Sequence, residues 1–214
     1  SNKKTWILEL FDIKRKKMLS YEESLQILKE TNALLEGHFV LSSGLHSAQY
    51  VQCAQLLSKP YKSASFCKSL AEKISKEFKE IDIILSPAMG GVIIGYEMGR
   101  LLKKEAIFSE RVEGKFKLRR DFRIAKKSKV LIVEDVITTG KSSLECSMLV
   151  ETAGAELVGF ACLIDRTNGT TPMNKKIISQ IKLNIPTYNE KNLPKNLILL
   201  PAHKPGSREL KWTR

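Results

Sequence analysis

Two adjacent carboxylates lie between an apolar segment and a turn of small and hydroxyl residues. Glu134 and Asp135 follow the apolar run 130–133 and precede the turn 138–140, of sequence Thr-Thr-Gly. An unbroken apolar run is typical of a parallel strand buried on both faces, and residues 142–153 have a helical pattern. The amides and dipole at a helix N-terminus favour phosphate, whereas paired acids suit hydroxyl groups or metal-bound water. The combination indicates a site for a sugar phosphate.

A second candidate anion site precedes this one in the chain. The apolar run 81–85 leads into Ala88, Met89, Gly90 and Gly91, and a helix is predicted from residue 92 to 103. Glycine lets backbone amides approach an anion closely. Neither segment has the G-x-x-x-x-G-K-[ST] or G-x-G-x-x-G spacing of the common nucleotide-binding loops.

Composition limits the classes of protein that remain. The chain has 214 residues, of which 43% are hydrophobic and 28% charged, and its net charge is +13. This length suits one α/β domain with a small addition. A basic surface can attract nucleic acid, a membrane or an anionic small substrate, but no aromatic residues interleave with the lysine clusters, so we expect no nucleic-acid partner.

Location is predicted from hydropathy and cysteine spacing. No apolar run of about 18 residues is present, so we expect no membrane association, and the first residues lack the apolar core of a secretory signal. The four cysteines show no C-x-x-C spacing, and we expect them to be buried and reduced. These features predict a cytoplasmic protein.

Segment 130–142 resembles the phosphoribosyl-diphosphate (PRPP) signature of the type I phosphoribosyltransferases: an apolar strand, two acids, an apolar pair and T-T-G. The resemblance implies that PRPP is bound by nine consecutive residues: Glu134, Asp135, Val136, Ile137, Thr138, Thr139, Gly140, Lys141 and Ser142. It also implies that Ala88, Met89, Gly90 and Gly91 form the diphosphate loop, which in this family often contains a cis peptide that does not involve proline.

Residues 37–52 resemble the N-terminal hood of one branch of that family, the orotate phosphoribosyltransferases, through the pattern GHF-x-LSSG-x-HS-x-x-Y. We interpret them as a hairpin of two short strands around a Ser/Gly turn. Ser42 stands where many relatives have a ligand-binding lysine. For His38 and His46 we expect hydrogen bonding within the turn rather than metal ligation. Residues 201–208 also resemble this branch.

Two further segments supply candidate charged groups. Residues 110–122 are rich in cations without a clear pattern, and their position matches the family's mobile catalytic loop, although the loop histidine is missing. The resemblance implies Arg111, Lys115 and Asp135 as catalytic residues; an exposed hairpin without a catalytic role is the alternative. It also implies that Arg166, after the predicted strand 157–164, binds orotate together with Thr138, since a guanidinium suits a planar carboxylate.

The predicted fold class is α/β: a type I phosphoribosyltransferase-like open, mainly parallel sheet flanked by helices, with a small N-terminal hood. We expect helices and the hood hairpin in 1–58, and the core in 59–214 with a tail that returns to the hood. Within them, a leading helix is predicted over 5–18, a second helix from the capping box at Ser20 to about Leu35, and a third from Pro60 to about Phe78.

The resemblance implies an enzyme that transfers 5-phosphoribosyl from PRPP to orotate. Mg²⁺ would arrive mainly on PRPP rather than in a site of protein ligands, and a homodimer would share active sites across its interface. Two alternatives remain: a purine phosphoribosyltransferase, and a PRPP-sensing regulator that binds nucleic acid on the same fold.

Overall fold

The computed structural model describes residues 18–205 and contains two sheets. The strands in that range are β1 (Leu34–Val40), β2 (His46–Val51), β3 (Ile83–Pro87), β4 (Glu105–Val112), β5 (Lys115–Leu118), β6 (Lys129–Ile137), β7 (Glu156–Asp165), β8 (Ile177–Lys182) and β9 (Ala202–His203). The helices are α1 (Tyr21–Glu30), α2 (Cys53–Leu57), α3 (Pro60–Glu77), α4 (Gly91–Leu102), α5 (Lys141–Thr152) and α6 (Lys195–Ile198), with a 3-10 turn at Glu190–Asn192.

The larger sheet has the strand order β5-β4-β3-β6-β7-β8. Only the β4–β5 pair is antiparallel, so the sheet is mainly parallel, as predicted. Side chains alternate across β6 because successive residues of a strand point to opposite faces. Leu131 and Val133 pack in one apolar cluster with α3 and α4, and Val130 and Ile132 pack in a second with α5. The strand that carries the acid pair is therefore held between two helical layers.

The smaller sheet has the order β2-β1-β9 and forms the hood. β1 and β2 are antiparallel, which confirms the predicted hairpin, and β9 lies parallel to β1. The C-terminal segment therefore returns to the hood. The division of the chain at residue 58 stays a prediction.

A buried histidine pair fastens this sheet. The His38 Nδ1–H donates to the Leu200 carbonyl at 3.1 Å, because a carbonyl can only accept. In the neutral pair, His38 Nε2 then accepts from the Nδ1–H of His46 at 2.6 Å. The expected hydrogen bonding is confirmed in kind, but it crosses strands instead of closing the turn.

Helix α1 is shorter than its sequence pattern predicted. The Ser20–Glu23 capping box is present, but the helix ends at Glu30, and the expected continuation to Leu35 is wrong. Asn32 has a left-handed φ of 59°, which stops the helix, and the chain then enters β1. α3 does begin at Pro60, as predicted. The leading helix expected over 5–18 lies outside the described residues except for its last position.

Within the described range, no helix has the length and apolar character needed to cross a bilayer.

Candidate active site

The acid pair lies at the carboxyl end of the central strand. Glu134 and Asp135 occupy β6 and are both half-buried. The pKa of Glu134 is raised to about 8, mainly by burial and secondarily by the negative charge of the neighbouring Asp135. Burial also raises the pKa of Asp135. The backbone N–H of Val136 donates to Asp135 Oδ1 at 2.8 Å and lowers this pKa, but burial has the larger effect. Because burial disfavours the charged form of both acids, they are suited to accept hydrogen bonds from ligand hydroxyls or to bind cations that arrive with a ligand.

The turn after β6 is shaped by Gly140. This residue is the N-cap of α5 with a φ of 77°, a left-handed conformation that favours glycine. A Cβ there would also lie 2.5 Å from Met173 Sδ, so the close packing excludes larger residues. Thr138 and Thr139 remain exposed beside the helix N-terminus, and the Lys141 N–H donates to Thr139 Oγ1 at 3.3 Å. Because the first amides of a helix lack partners within it, the turn offers an anion cradle.

The candidate diphosphate loop reaches the acid pair directly. The peptide bond between Ala88 and Met89 is cis, as the resemblance implied. A Cβ on Gly90 would lie 2.9 Å from both carboxylate oxygens of Asp135, so only glycine lets the two segments meet. The sheet order explains this contact, since β3 and β6 are neighbouring parallel strands. The two predicted anion sites therefore form one continuous site.

Arg166 lies beside the same edge. Its backbone N–H donates to the Ile137 carbonyl at 2.8 Å, which places residue 166 next to the turn that contains Thr138. Its Nε is buried and has no hydrogen-bond partner within residues 18–205. Burial lowers the pKa of Arg166. A desolvated guanidinium with an unused donor is a receptor for a planar anion.

In the cation-rich segment 110–122, residues 110–118 belong to the β4–β5 hairpin and do not form the irregular loop that the sequence indicated. Arg111 pairs with Phe116 and Val112 with Lys115, and both turn residues have positive φ, 51° at Glu113 and 78° at Gly114. This geometry is that of a tight two-residue hairpin turn. The Glu-Gly pair between apolar residues at alternate positions was the available signal. The hairpin conformation of the alternative is thereby confirmed. Whether Arg111 and Lys115 in this hairpin take part in catalysis stays a prediction.

The hairpin cations are not joined to the acid pair. Arg111 Nη2 lies 2.6 Å from Glu145 Oε2, on α5, and its Nη1 donates to the Gly114 carbonyl at 2.9 Å. Within residues 18–205, neither Arg111 nor Lys115 makes a hydrogen bond or ion pair with Glu134 or Asp135. The structure therefore brings the predicted PRPP, diphosphate and orotate residues to one edge and leaves the two predicted catalytic cations on a separate hairpin.

Sequence reasoning missed two residues that shape this region. Glu145 binds Arg111, and Met173 closes over Gly140. No local pattern marked either residue, because each acts through a contact between elements that only the folded sheet brings together.

The four cysteines are not nucleophiles for this site. All are buried and free, as predicted. Burial raises the pKa of Cys67 and of Cys146 to about 12, so neither is a thiolate at neutral pH.

No group of three or more His, Cys, Asp or Glu side chains that could hold a metal ion occurs in the part of the chain that the structure describes. The acids nearest to the anion cradle are Glu134 and Asp135, and their oxygens fit hard cations or their bound water.

Comparison with known proteins agrees with this geometry. Residues 57–193 match the family model described as the phosphoribosyl transferase domain. The chain is 47% identical over 193 residues to the orotate phosphoribosyltransferase of Parvibaculum lavamentivorans, an alignment that covers 90% of this chain and 100% of the relative.

Solved structures show the same fold at lower identity. The orotate phosphoribosyltransferase from Aeropyrum pernix has a TM-score of 0.65 at 24% identity, covering 74% of this chain and 92% of that one. The adenine phosphoribosyltransferase from Thermoanaerobacter pseudethanolicus has a TM-score of 0.54 at 18% identity, covering 63% and 88%. Because both an orotate and an adenine enzyme share this fold, the fold alone does not identify the base. The relative at 47% identity distinguishes the two branches. The chain belongs to the orotate phosphoribosyltransferase family and has the type I phosphoribosyltransferase fold.

Proposed function

We propose that this protein transfers the 5-phosphoribosyl group of PRPP to orotate and releases orotidine 5′-monophosphate and diphosphate, a step of pyrimidine synthesis. The observation that carries the proposal is the half-buried Arg166 beside the anion cradle at Thr138, whose buried Nε has no hydrogen-bond partner among the described residues. A purine base offers no carboxylate to such a group, whereas orotate does. The relative at 47% identity, named an orotate phosphoribosyltransferase, supports the same base.

The binding roles follow from the positions of the groups. The turn from Thr138 to Ser142 would hold the 5-phosphate at the N-terminus of α5. Glu134 and Asp135 would accept hydrogen bonds from the ribose hydroxyls, and the segment 88–91 would present its backbone to the diphosphate. The contact between Gly90 and Asp135 supports one ligand spanning both segments.

The chemistry would be positioning and charge stabilisation. The bond from C1 of the ribose to diphosphate breaks as the bond to N1 of orotate forms, through a transition state with positive charge on the ribose, and the proton of N1 passes to the departing diphosphate. The acid pair lies where it would favour that charge, and Arg166 with Thr138 would aim the orotate ring. Mg²⁺ carried on PRPP would neutralise the departing diphosphate. Arg111 and Lys115 are the sequence-based candidates for cations that would offset the negative charge of the departing diphosphate.

We also propose a homodimer. Met89, Ile93 and Tyr96 are exposed by 86%, 57% and 70%. Their spacing places them along one side of the diphosphate loop and α4, and a group of large exposed apolar side chains on one side indicates a protein interface. Because this surface begins at the diphosphate loop, a second copy bound there would lie next to the active site.

Sharing of active sites can be tested by mixing inactive subunits. We expect a Lys115→Ala chain mixed with an Asp135→Asn chain to recover activity above either parent, if Lys115 acts across the interface. Sedimentation would show whether each parent remains dimeric. Dimeric parents without recovery would contradict sharing.

For location we propose the cytoplasm, where four buried free thiols would stay reduced.

The activity is tested by an ultraviolet assay of orotate consumption with PRPP and Mg²⁺, run beside adenine, hypoxanthine and uracil. We expect loss of orotate that requires both PRPP and Mg²⁺. Turnover of another base only would refute the role of Arg166 and favour the purine alternative. Tight PRPP binding without turnover, together with a salt-dependent shift of duplex DNA or RNA, would favour the regulator.

A further inference from the structure

The guanidinium of Arg111 is held by three groups of its own chain. It forms the 2.6 Å ion pair with Glu145, donates to the Gly114 carbonyl, and lies 4.2 Å from the ring centroid of Phe116. The Phe116 ring is buried and packs in the apolar cluster around α5. A guanidinium with an ion pair, a backbone acceptor and an aromatic face has its main modes of binding already used.

The partner of this ion pair is a helix residue close to the phosphate cradle. Glu145 belongs to α5, whose N-terminus is the turn at Gly140. Its Oε2 is buried, and the ion pair with Arg111 is its sole polar contact within residues 18–205. The Arg111 side chain is 40% exposed and that of Glu145 29%, so solvent partly screens the pair and its loss costs less than that of a fully buried pair. The pair is a direct ionic link between the hairpin and the helix that carries the cradle.

The hairpin tip joins α5 through the packing of Phe116 and through the Arg111–Glu145 ion pair. Beside these contacts lies a cavity of about 400 Å³, lined by Gly114, Lys115, Phe116, Glu145, Met148, Leu149 and Thr152. Arg111 is one residue pair from the tip, since Arg111 faces Phe116 and Val112 faces Lys115. The Arg111–Glu145 pair therefore lies close in the hairpin to the exposed Lys115.

We infer that Arg111 and Glu145 are positioning residues that hold the hairpin at a set distance from the phosphate cradle, and that Lys115 is the hairpin cation that meets the substrate. This inference rests on the proposed function and changes the role of Arg111 from catalytic to positioning. Glu145 has no such role in the sequence-based prediction.

Two double-mutant cycles test the inference. In the first, Arg111→Ala, Glu145→Ala and the double variant are compared for kcat and for KM of PRPP. We expect each single variant to lower kcat about tenfold and the double variant to be no slower than either, because all three break the same link. An Arg111→Ala loss of 10²–10³-fold, with Glu145→Ala at the wild-type kcat, would overturn the inference and restore a direct role for Arg111.

The second cycle separates positioning from general destabilisation. Glu145→Ala should lower kcat in the wild type but add no loss in a Lys115→Ala background, since there is then no cation to position. Equal losses in both backgrounds would refute the positioning role. The matched control is Glu113→Ala, which removes an exposed ion pair with Lys117 (3.9 Å) from the same hairpin and should leave kcat unchanged.

A readout without substrate keeps the result distinct from the activity itself. Trypsin cutting after Lys115 and Lys117, located by mass, reports opening of the hairpin. We expect Arg111→Ala and Glu145→Ala each to raise the initial cutting rate about tenfold, and Glu113→Ala to leave it unchanged. If wild type turns over no base, the proposed function fails and trypsin alone decides: equal cutting of all variants would refute the link.

Discussion

Replacing Glu134 by Gln should make the ligand-free protein more stable at alkaline pH. The reason is that Glu134 lies half-buried beside Asp135, and burial raises its pKa to about 8. The fold therefore disfavours the charged carboxylate. Gln keeps the shape of the side chain and removes the charge, so it isolates the electrostatic cost.

The sign and the pH window follow from the two pKa values. Below pH 4.5, the ordinary value, Glu134 is neutral in both the folded and the unfolded protein. Between pH 4.5 and about 8 the unfolded protein ionises first, so the free energy of unfolding falls as pH rises. Above that window both states are ionised and the cost is constant. The Gln variant lacks this pH dependence.

The magnitude has a ceiling set by the same values. One pKa unit corresponds to about 1.36 kcal/mol, so the interval from 4.5 to about 8 gives at most roughly 5 kcal/mol at high pH. Because the side chain keeps some solvent contact, we expect about 2 kcal/mol, or a rise in Tm of roughly 4–8 °C for a protein of this size.

The assay is urea or thermal unfolding of the ligand-free protein at pH 5, 7 and 9. The stability difference between Glu134→Gln and wild type should be smallest at pH 5 and grow progressively at pH 7 and 9. The matched control is Glu151→Gln on the exposed side of α5, which should have the stability of the wild type at each of these pH values. Parallel stability curves for wild type and Glu134→Gln across this range would refute the argument.

Three further outcomes are expected. Asp135→Asn should lower kcat about 10²-fold without lowering the unfolding midpoint, since burial also disfavours the Asp135 charge, and near-normal turnover would contradict its role at the ribose. Gly90→Ala should raise KM for PRPP about tenfold, because its Cβ would meet both oxygens of Asp135 at 2.9 Å; an unchanged KM in steady-state kinetics would show that the two segments need not touch. Asp121→Gly should raise the free energy of unfolding by about 0.5–1 kcal/mol, since Asp121 has a left-handed φ of 58°, and urea unfolding would detect a loss instead if its side chain stabilises the turn.

Local patterns in the sequence were sufficient for the elements that carry the site. The run 130–133 predicted a strand buried on both faces because every residue in it is apolar, and β6 is such a strand. The capping box at Ser20 and the proline at residue 60 identified helix starts, because both are local signals of a helix N-terminus. Such signals lie within a few neighbouring residues, so no tertiary contact is needed to interpret them.

Local patterns failed where neighbouring signals competed. Apolar residues after Glu30 continued the helical pattern, but the left-handed Asn32 and the pairing of β1 with β2 ended the helix. The segment from Glu110 to Phe122 was misjudged because charged residues alternate with Phe116 and Leu118, and pairing with the edge of the sheet decides its form.

The sequence by itself determined the family, the acid pair, the candidate anion-binding turns and the arginine after β7, because each is encoded by residues adjacent in the chain. Only the tertiary structure decided that Gly90 closely approaches Asp135, that a buried donor of Arg166 has no partner within residues 18–205, and that Arg111 is held by Glu145. The physical reason is that these contacts join different elements. Their distances depend on the order of strands in the sheet and on the packing of α5 against it, which no short stretch of sequence encodes.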